Sequence, residues 1–304
     1  MAVKTVQAII NGVTTTLTLN NTTGKYEATV TAPSTSSYNV NDGHYYPVTI
    51  KATDEAGNVT TKTDQDATLG TSLRLRVKEK TAPVITITYP TASALITNNK
   101  PVIRWTVTDN DSGVAADTIG ITIDNDSKMT GSAITKTAIT GGYECSYTPS
   151  SALTDGSHTI RTDASDNDGN SATQKSVTFK IDTVPPTLNV TAPAAGLITN
   201  KESCTVTGTT NDVTSSPVTV TVKLNGDVAE TVAVNNDGSF SKALTLAAGS
   251  NTITVVATDS AGKSTTVTRS VTLDTVAPTI KSITITPNPV DAGKTYVISV
   301  EVTD

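Results

Sequence analysis

Apolar side chains in this chain alternate with threonine, serine and charged side chains, in short runs that end at turn-forming residues. Residues 267–273 alternate in this way through Val267, Val271 and Leu273, which is typical of a strand with one buried face. Asn-Gly at 225–226 and Asp-Gly at 237–238 are hairpin signals between such runs. Short strands with turn signals at intervals of about 8–12 residues indicate a sandwich or barrel. The pattern therefore predicts an all-β chain.

A turn followed by a strand and a proline occurs three times along the chain. Residues 52–58, 164–170 and 257–263 share the pattern Ala-x-Asp-x-x-Gly, in which the aspartate bonds its own backbone and the glycine supplies a positive φ. Each copy leads to a joint proline, and Pro83, Pro186 and Pro278 recur at intervals of about 100 residues. A period of that length with strands inside each unit indicates separate modules joined like beads on a string.

This period predicts four segments. Residues 1–80 form a first module, which is atypical because it has a long insertion before its joint proline. Residues 81–183 and 184–275 form the second and third modules. Residues 276–304 contain only two strand-like runs, and two strands alone are marginally stable in water. We therefore expect this tail to pack on the third module or to be completed by another chain.

Within the first module, the sequence predicts one early hairpin. Strand-like residues 6–19 and 26–30 flank residues 20–24, a polar five-residue turn that ends in glycine. A polar loop at residues 34–43 follows and leads into the next strand.

Composition narrows the class of protein. The chain has 304 residues, 36% of them hydrophobic and only 4% aromatic, which fits several small cores filled by β-branched side chains. Charged residues make up 16%, so a highly charged disordered chain is excluded. The net charge of −6 and the scattered Lys and Arg residues exclude nucleic acid and anionic membrane as main partners. No run of apolar residues is long enough to span a membrane.

Thiol and histidine chemistry finds little support. Cys145 and Cys204 fall in different predicted modules, so we expect both to be reduced. His44 and His158 are the only histidines and are also in different modules, so a catalytic triad would have to cross a module boundary. The chain has no P-loop, dinucleotide-binding glycine motif or nucleophile elbow. The sequence therefore predicts no enzymatic activity and requires no cofactor.

Carboxylates are the only clustered reactive groups. Three pairs offer the hard oxygen ligands that calcium prefers, and a cation at a joint would stiffen the chain there. These pairs are Asp109 and Asp111, Asp166 and Asp168, and the joint residues Asp182 and Asp274. The alternative is that these residues only begin turns. Residues 259–263 lack the second acid found at Asp168, which favours the turn interpretation.

Aromatic residues provide the candidates for ligand binding. Trp105 is the only tryptophan and would be either a stacking platform for sugar or a core residue, since it lies in an alternating strand. Tyr38, Tyr45 and Tyr46 flank a polar loop near His44 and make a better binding candidate. Tyrosine is also common in strands, so a structural role is the alternative for these three residues.

The repeated turn and the joint at residues 274–278, Asp-Thr-Val-Ala-Pro, resemble those of bacterial immunoglobulin-like (Big-type) domains in surface adhesins and phage tail proteins. The second copy departs from the pattern at Ser165 and Asp168. The whole chain is similar to Ig-like proteins encoded in prophage and tail-like-particle gene clusters of Gram-positive gut bacteria. This likeness includes residues 97–101, Thr-Asn-Asn-Lys-Pro, and the Pro-Asn-Pro-Val-Asp-Ala-Gly-Lys run at 287–294.

The resemblance implies tandem immunoglobulin-like β-sandwiches with a short two-strand tail. It also implies a non-enzymatic structural or attachment protein of a phage tail or virion-like particle, made in the cytosol without a signal peptide and released by lysis. In some adhesin relatives joint aspartates bind calcium, which maps here to Asp182 and Asp274. The first joint has Lys78, Glu79 and Lys80 instead, so we expect that mapping to fail there.

The resemblance also implies the partners. These are other virion or tail proteins, or further copies of this chain bound through its C-terminal strands, and a glycan or protein on the host surface. One alternative is a bacterial cell-surface adhesin or stalk. A second is the carbohydrate-binding accessory module of an enzyme.

Overall fold

The computed structural model describes residues 2–304. Within this range the chain is built almost entirely from strands, with two single-turn 3-10 helices at Gly70–Leu73 and Gly131–Ala133. Its contacts divide it into two compact units, one ending at Ile181 and the other beginning at Asp182. The all-β prediction is confirmed.

The first part of unit 1 is a single sheet. Its strands are β1 (Val3–Ile10), β2 (Val13–Asn20), β3 (Lys25–Glu27), β4 (Tyr46–Asp54), β5 (Val59–Lys62) and β6 (Arg74–Leu75). The order in the sheet is β3-β2-β1-β4-β5, and β6 pairs with β4. We expected two facing sheets here. The strands present mostly threonine and other partly exposed side chains, and the few buried apolar residues are too few for a sandwich core.

The turn predicted at residues 20–24 is present between β2 and β3, but the run at residues 6–19 is two strands. Asn11 and Gly12 form a tight turn between β1 and β2, with φ of +48° and +76°. Asn and Gly tolerate positive φ, so this pair is a hairpin signal inside a run that otherwise looks continuous.

The second part of unit 1 is a two-sheet sandwich. Its strands are β7 (Val84–Tyr89), β8 (Leu95–Ile96), β9 (Ile103–Thr108), β10 (Gly120–Ile123), β11 (Thr135–Ile139), β12 (Gly142–Tyr147), β13 (Gly156–Asp163) and β14 (Lys175–Ile181). One sheet has the order β11-β12-β9-β7 and the other β10-β13-β14-β8. Trp105 and Phe179 are fully buried in the core cluster between them. Trp105 is therefore a core residue and offers no ring face to a sugar.

The two parts of unit 1 are joined by hydrogen bonds to the turns that follow β9 and β13. The backbone N–H of Ser36 donates to Oδ1 of Asp111 at 2.8 Å. Nδ2 of Asn39 donates to the carbonyl of Asp111, and Nζ of Lys78 donates to the carbonyl of Asp168 at 2.9 Å. The loop of the first sheet is thus fixed to the turns of the sandwich.

Unit 2 contains a second sandwich with almost the same strand frame. Its strands are β15 (Thr187–Ala192), β16 (Leu197–Thr199), β17 (Ser203–Asn211), β18 (Thr219–Leu224), β19 (Glu230–Val232), β20 (Ser239–Thr245), β21 (Gly249–Thr258) and β22 (Ser264–Leu273). The sheets have the orders β15-β17-β20 and β16-β22-β21-β18-β19. Its core is mostly valine around Phe240. One strand differs, because β19 pairs with β18, whereas β11 pairs with β12.

The tail of unit 2 is a hairpin of β23 (Thr279–Thr286) and β24 (Val297–Thr303). Every residue of both strands is exposed, including Ile283 and Val300. The pairing of Thr279 with Thr303 repeats that of Val84 with Thr108 in unit 1. The hairpin is therefore similar to the first two long strands of a sandwich without the strands that would cover it.

Both cysteines are free, buried thiols, as expected. Burial raises the pKa of Cys145 to about 11 and also raises the pKa of Cys204. Among residues 2–304, no helix is long and apolar enough to cross a membrane.

Candidate metal centres and aromatic cluster

The three copies of the repeated turn have one geometry. Asp54, Asp166 and Asp259 each accept, through Oδ1, the backbone N–H of the residue four positions later, at 2.8–2.9 Å. The glycines of the three copies have φ of +87°, +94° and +83°. All three aspartates therefore form the turns that the sequence predicts. Each turn uses only one carboxylate oxygen of its aspartate for the backbone, which leaves the second oxygen for other contacts.

Two of these turns also contribute to triplets of acidic side chains. In unit 1, Glu79, Asp109 and Asp166 have carboxylate oxygens within 4.8 Å of one another. Asp109 follows β9, Asp166 follows β13, and Glu79 lies on the segment that enters the sandwich. The turn of Asp109 is closed by its Oδ1, which accepts the backbone N–H groups of Asp111 and Gly113.

The second triplet has the same construction. In unit 2, Asp182, Asp212 and Asp259 have carboxylate oxygens within 4.8 Å of one another, and all three residues are buried. Asp212 follows β17 as Asp109 follows β9, and its Oδ1 accepts the backbone N–H groups of Thr214 and Ser215. The Ser215 hydroxyl donates to Oδ2 of Asp182. The triplet therefore ties the first residue of unit 2 to two turns of its sandwich.

Half of the acidic residues singled out in the sequence belong to these triplets. Asp109, Asp166 and Asp182 are members. Asp111 Oδ1 instead accepts from Ser36, Asp168 Oδ2 accepts the backbone N–H of Glu79, and Asp274 Oδ1 accepts the backbone N–H of Val276. Asp111 and Asp168 are thus neighbours in sequence of Asp109 and Asp166 but do not join them in a triplet, because they accept hydrogen bonds from other partners.

Sequence reasoning missed Glu79, Asp212 and Asp259. A spacing signal was available for the first, since Glu79 lies four residues before Pro83, as Asp182 does before Pro186. The first joint does have a carboxylate, because Glu79 takes there the place that Asp182 takes at the second joint. The expectation that the calcium mapping fails at the first joint stays a prediction. Asp259 has no second acid in its own turn, but its two acidic partners, Asp182 and Asp212, come from other segments of the chain.

The chemistry of the second triplet fits a hard cation. Asp259 is only 5% exposed, and its Oδ2 has no hydrogen-bond partner among the described residues. Buried carboxylates this close together repel one another unless a proton or a cation intervenes. Calcium binds six to eight oxygen ligands, and carboxylates are its preferred ones. Asp182, Asp212 and Asp259 are the residues that would hold it.

The first triplet has a different electrostatic balance. Burial raises the pKa of Glu79, and the negative charges of Asp109 and Asp111 act in the same direction. The backbone N–H of Ser112 donates to Oε1 of Glu79 at 2.7 Å, and this hydrogen bond opposes the shift. In this triplet both oxygens of Asp166 and Oε1 of Glu79 thus accept hydrogen bonds from the protein itself.

The tyrosines of the predicted ligand site are mostly structural. Tyr46 is buried, and its hydroxyl is 2.6 Å from Oγ1 of Thr35. Tyr45 is also buried and donates to Oδ2 of Asp64 at 2.9 Å. This hydrogen bond raises the pKa of Tyr45. These two rings hold the polar loop of the first sheet and present no open face.

Tyr38 is the remaining aromatic candidate. It is half-buried, and its ring stacks on the ring of His44 with centroids 4.0 Å apart. Nδ1 of His44 also lies 2.6 Å from the carbonyl of Tyr38. The pair forms a small aromatic surface on the loop before β4.

The second histidine has a different environment. His158 is buried, with Nδ1 2.7 Å from Oδ2 of Asp124 and Nε2 2.7 Å from the carbonyl of Thr154. In unit 2 the equivalent residue Asn251 donates to the carbonyl of Ala247 at 2.7 Å. Because Asn251 makes the equivalent contact without an imidazole ring, the role of His158 is structural.

Comparison with known proteins agrees with this architecture. Residues 91–183 match the family described as bacterial Ig-like domain, and residues 186–275 match glucodextranase domain B. Bacillopeptidase F of Bacillus subtilis (strain 168) is 38% identical over 114 residues, which are 38% of this chain. The matched part is only 7% of the length of Bacillopeptidase F.

Solved structures of similar fold are tandem immunoglobulin-like or fibronectin-like domains. Three immunoglobulin domains of titin are 12% identical to this chain, with 90% of this chain and 88% of that one covered and a TM-score of 0.43. Fibronectin(III)-like modules of Clostridium thermocellum CbhA are 17% identical, with 63% and 94% covered and a TM-score of 0.34. Similarity at this level carries no argument about function. The chain thus contains a match to a bacterial Ig-like domain at residues 91–183 and a second sandwich of almost the same strand order at residues 187–273.

Proposed function

We propose that this chain is a non-enzymatic string of Ig-like modules that extends or decorates a host-contact surface of a phage tail or virion-like particle. The observation that carries the structural role is the repeated joint. In both sandwiches, a carboxylate that enters from the linker, Glu79 or Asp182, meets buried aspartates from two turns of the sandwich. Such a joint fixes how the chain enters each module, which is a requirement of a spacer. The setting in a particle rests on the sequence resemblance.

Fractionation of the native source tests the setting. Purified particles, cell envelopes and cleared medium would be separated from an induced culture and probed with an antibody against the chain. We expect the chain in the particle fraction, with immunogold label on tails in electron micrographs. Detection only in envelopes would replace this proposal with the surface adhesin or stalk.

A second candidate is an accessory segment of a secreted hydrolase. It is favoured by the partial match to Bacillopeptidase F and by the match of residues 186–275 to glucodextranase domain B. In the same fractionation this candidate predicts the chain in cleared medium, in a polypeptide that also has hydrolase activity. Binding of the purified chain to an insoluble polysaccharide would add support to this candidate.

We also propose that calcium binds at a joint triplet. The unpartnered Oδ2 of Asp259 beside Asp182 and Asp212 supports this. Calcium bound there would remove the repulsion between the three carboxylates and hold Asp182 against the sandwich that follows it. A ligand that binds only the folded state raises stability according to its concentration relative to Kd.

Calorimetric titration of the chelator-treated full chain with calcium chloride tests this proposal. We expect a binding heat and a higher melting temperature in calcium, and a smaller effect of magnesium, which demands octahedral geometry and retains its water. The double variant Asp182→Asn/Asp212→Asn should lose the heat. The variant Asp274→Asn is the matched control, because Asp274 lies outside both triplets. Titration of the wild type without heat or change in melting would refute calcium binding.

The C-terminal hairpin is the surface that we propose for self-association. In the two sandwiches, β9 and β17 are each covered at their outer edge by another strand, β12 or β20. In unit 2 the equivalent edge of β24 and its apolar side chains are exposed, and an open strand edge readily pairs with another chain.

Light scattering of the full chain tests this proposal and should show concentration-dependent dimers. Val300→Lys should abolish them, while Val228→Lys, at a position outside the hairpin that is also exposed, should not.

Tyr38 and His44 are our proposed contact for a host glycan, because together they offer a stacked aromatic surface on a loop. A glycan array probed with the full chain should give signals that Tyr38→Ala removes. The exposed Tyr89, which lies on β7, provides the control variant Tyr89→Ala. Equal loss in both variants, or no signal in the wild type, would contradict a glycan contact at this loop.

A further inference from the structure

The two acidic triplets differ at one residue of the repeated turn. The residue four positions after the turn aspartate is Asn170 in unit 1 and Lys263 in unit 2. Both contribute their backbone N–H to Oδ1 of that aspartate, at 2.8 and 2.9 Å. Only the asparagine has a side-chain donor of the right length to reach back into the triplet.

Asn170 uses this donor to fill the first triplet. Its Nδ2 donates to Oδ2 of Asp166 at 2.6 Å and lies 3.2 Å from the carbonyl oxygen of Glu79. The amide therefore supplies partial positive charge to one carboxylate of the triplet and joins it to the backbone of the linker residue. Both oxygens of Asp166 have partners within the protein.

Lys263 leaves the second triplet open. The oxygen equivalent to the one that Asn170 contacts is Oδ2 of Asp259. Within residues 2–304 it has no hydrogen-bond partner, although Asp259 is only 5% exposed. An unpaired carboxylate oxygen buried beside two further carboxylates is unfavourable by more than an ordinary lost hydrogen bond. The unpartnered oxygen is therefore a second observation, besides the clustering of the three acids, that indicates a ligand at this site.

We propose that the residue at this turn position decides which joint takes a cation: calcium binds at Asp182, Asp212 and Asp259, whereas the amide of Asn170 takes its place at Glu79, Asp109 and Asp166. This inference rests on the proposed binding of calcium. A cation at the first triplet would have to displace the amide from Asp166, and a hydrogen bond to a charged group opposes this. At the second triplet nothing has to be displaced from Asp259.

The first copy of the repeated turn, at residues 52–58, provides an internal control. Asn58 donates through Nδ2 to Oδ2 of Asp54 at 2.9 Å, which is the same contact that Asn170 makes. Asp54 belongs to neither triplet. Removing the amide of Asn58 therefore exposes a carboxylate oxygen without creating a cation site.

Reciprocal substitutions in the full chain test the inference. The probe is calcium chloride, titrated calorimetrically into chelator-treated protein. The wild type should bind one calcium ion. Lys263→Asn keeps all three acids and should weaken binding by about 10- to 100-fold, because its amide competes for Oδ2 of Asp259. Lys263→Ala should bind like the wild type, which separates the competing amide from the loss of the lysine charge.

The reverse change should create a second site. Asn170→Ala should raise the stoichiometry from one calcium ion to two, while the control Asn58→Ala should leave it at one. Circular dichroism of each variant verifies that it is folded.

The outcomes separate this inference from the proposals on which it builds. Two equal sites in the wild type, or unchanged binding in Lys263→Asn, would overturn the role of this residue and leave calcium binding intact. No binding in the wild type would overturn both, while the structural role of the module string would still depend on the fractionation experiment alone.

Discussion

Nδ1 of His158 lies 2.7 Å from Oδ2 of Asp124, and the same two positions in unit 2 hold Asn251 and Asn225. The neutral pair makes the equivalent contacts. Nδ2 of Asn225 donates to Oδ1 of Asn251 at 3.1 Å, and the backbone N–H of Thr252 donates to Oδ1 of Asn225 at 2.8 Å. In both sandwiches a polar pair thus links the same two positions, by an aspartate and a histidine in unit 1 and by two asparagines in unit 2.

This relationship predicts strong coupling between Asp124 and His158. His158→Asn should destabilise the sandwich by about 1–3 kcal/mol, because it leaves polar groups unpaired. The double variant Asp124→Asn/His158→Asn recreates the pair of unit 2 and should recover at least about 1 kcal/mol of that loss. Urea unfolding of the full chain followed by Trp105 fluorescence measures this, since the only tryptophan lies in this sandwich. Additive effects of the two changes would contradict the coupling.

A second prediction concerns a backbone contact at Gly238. Its φ is +80°, and a Cβ at this position would lie 2.3 Å from the carbonyl oxygen of Thr210. Gly238→Ala should therefore destabilise the second sandwich by about 1–3 kcal/mol or more. Gly226→Ala is the matched control in the same sandwich, because nothing lies within 4 Å of its Cβ position. Thermal unfolding followed by circular dichroism should show a lower transition for the first variant only.

A third prediction is that Cys145 resists thiol reagents. Burial raises the pKa of Cys145 to about 11. The thiolate is the reactive form, so only about one thiol in a thousand is ionised at pH 8. Labelling of the folded chain should be slow at pH 8 and faster as the pH rises toward 11, and unfolding in urea should make it rapid at once. Fast labelling of Cys145 in the folded state at pH 7 would show that the core opens readily.

Much of the fold was predictable from local pattern. Alternation predicted the strands, and the repeated turn with its positive-φ glycine predicted three equivalent corners. The Asn11–Gly12 turn was missed because the strand-like residues 6–10 before it and 13–19 after it look like one continuous run. The single sheet of the first segment was missed because a sandwich requires enough buried apolar residues to fill two facing layers, and local alternation does not reveal how many residues are buried.

The candidate site was predictable only in part. Asp109, Asp166 and Asp182 were recognisable as oxygen ligands by type. Their partners in space include Glu79 on the linker before β7 and Asp212 in the turn after β17, so only a comparison of equivalent positions across the modules would identify them. The contrast between Asn170 and Lys263 has no signal in sequence alone, since it depends on which atom the side chain reaches.

The last prediction is that calcium reverses the sign of the stability change caused by Asp259→Asn. Without calcium, Asp259→Asn should raise stability by about 1 kcal/mol, because the amide removes one of three neighbouring negative charges and donates to the remaining carboxylates. Its Oδ1 still accepts the backbone N–H of Lys263, so the turn is kept. In millimolar calcium the wild type should become the more stable protein, because only it retains the full ligand set. The order of the two melting temperatures should therefore reverse between chelator and calcium.

The control variant Asp111→Asn, which changes an aspartate outside the triplets, should show no such reversal. A variant that is less stable than the wild type under both conditions would show that the three carboxylates do not repel one another in the folded protein.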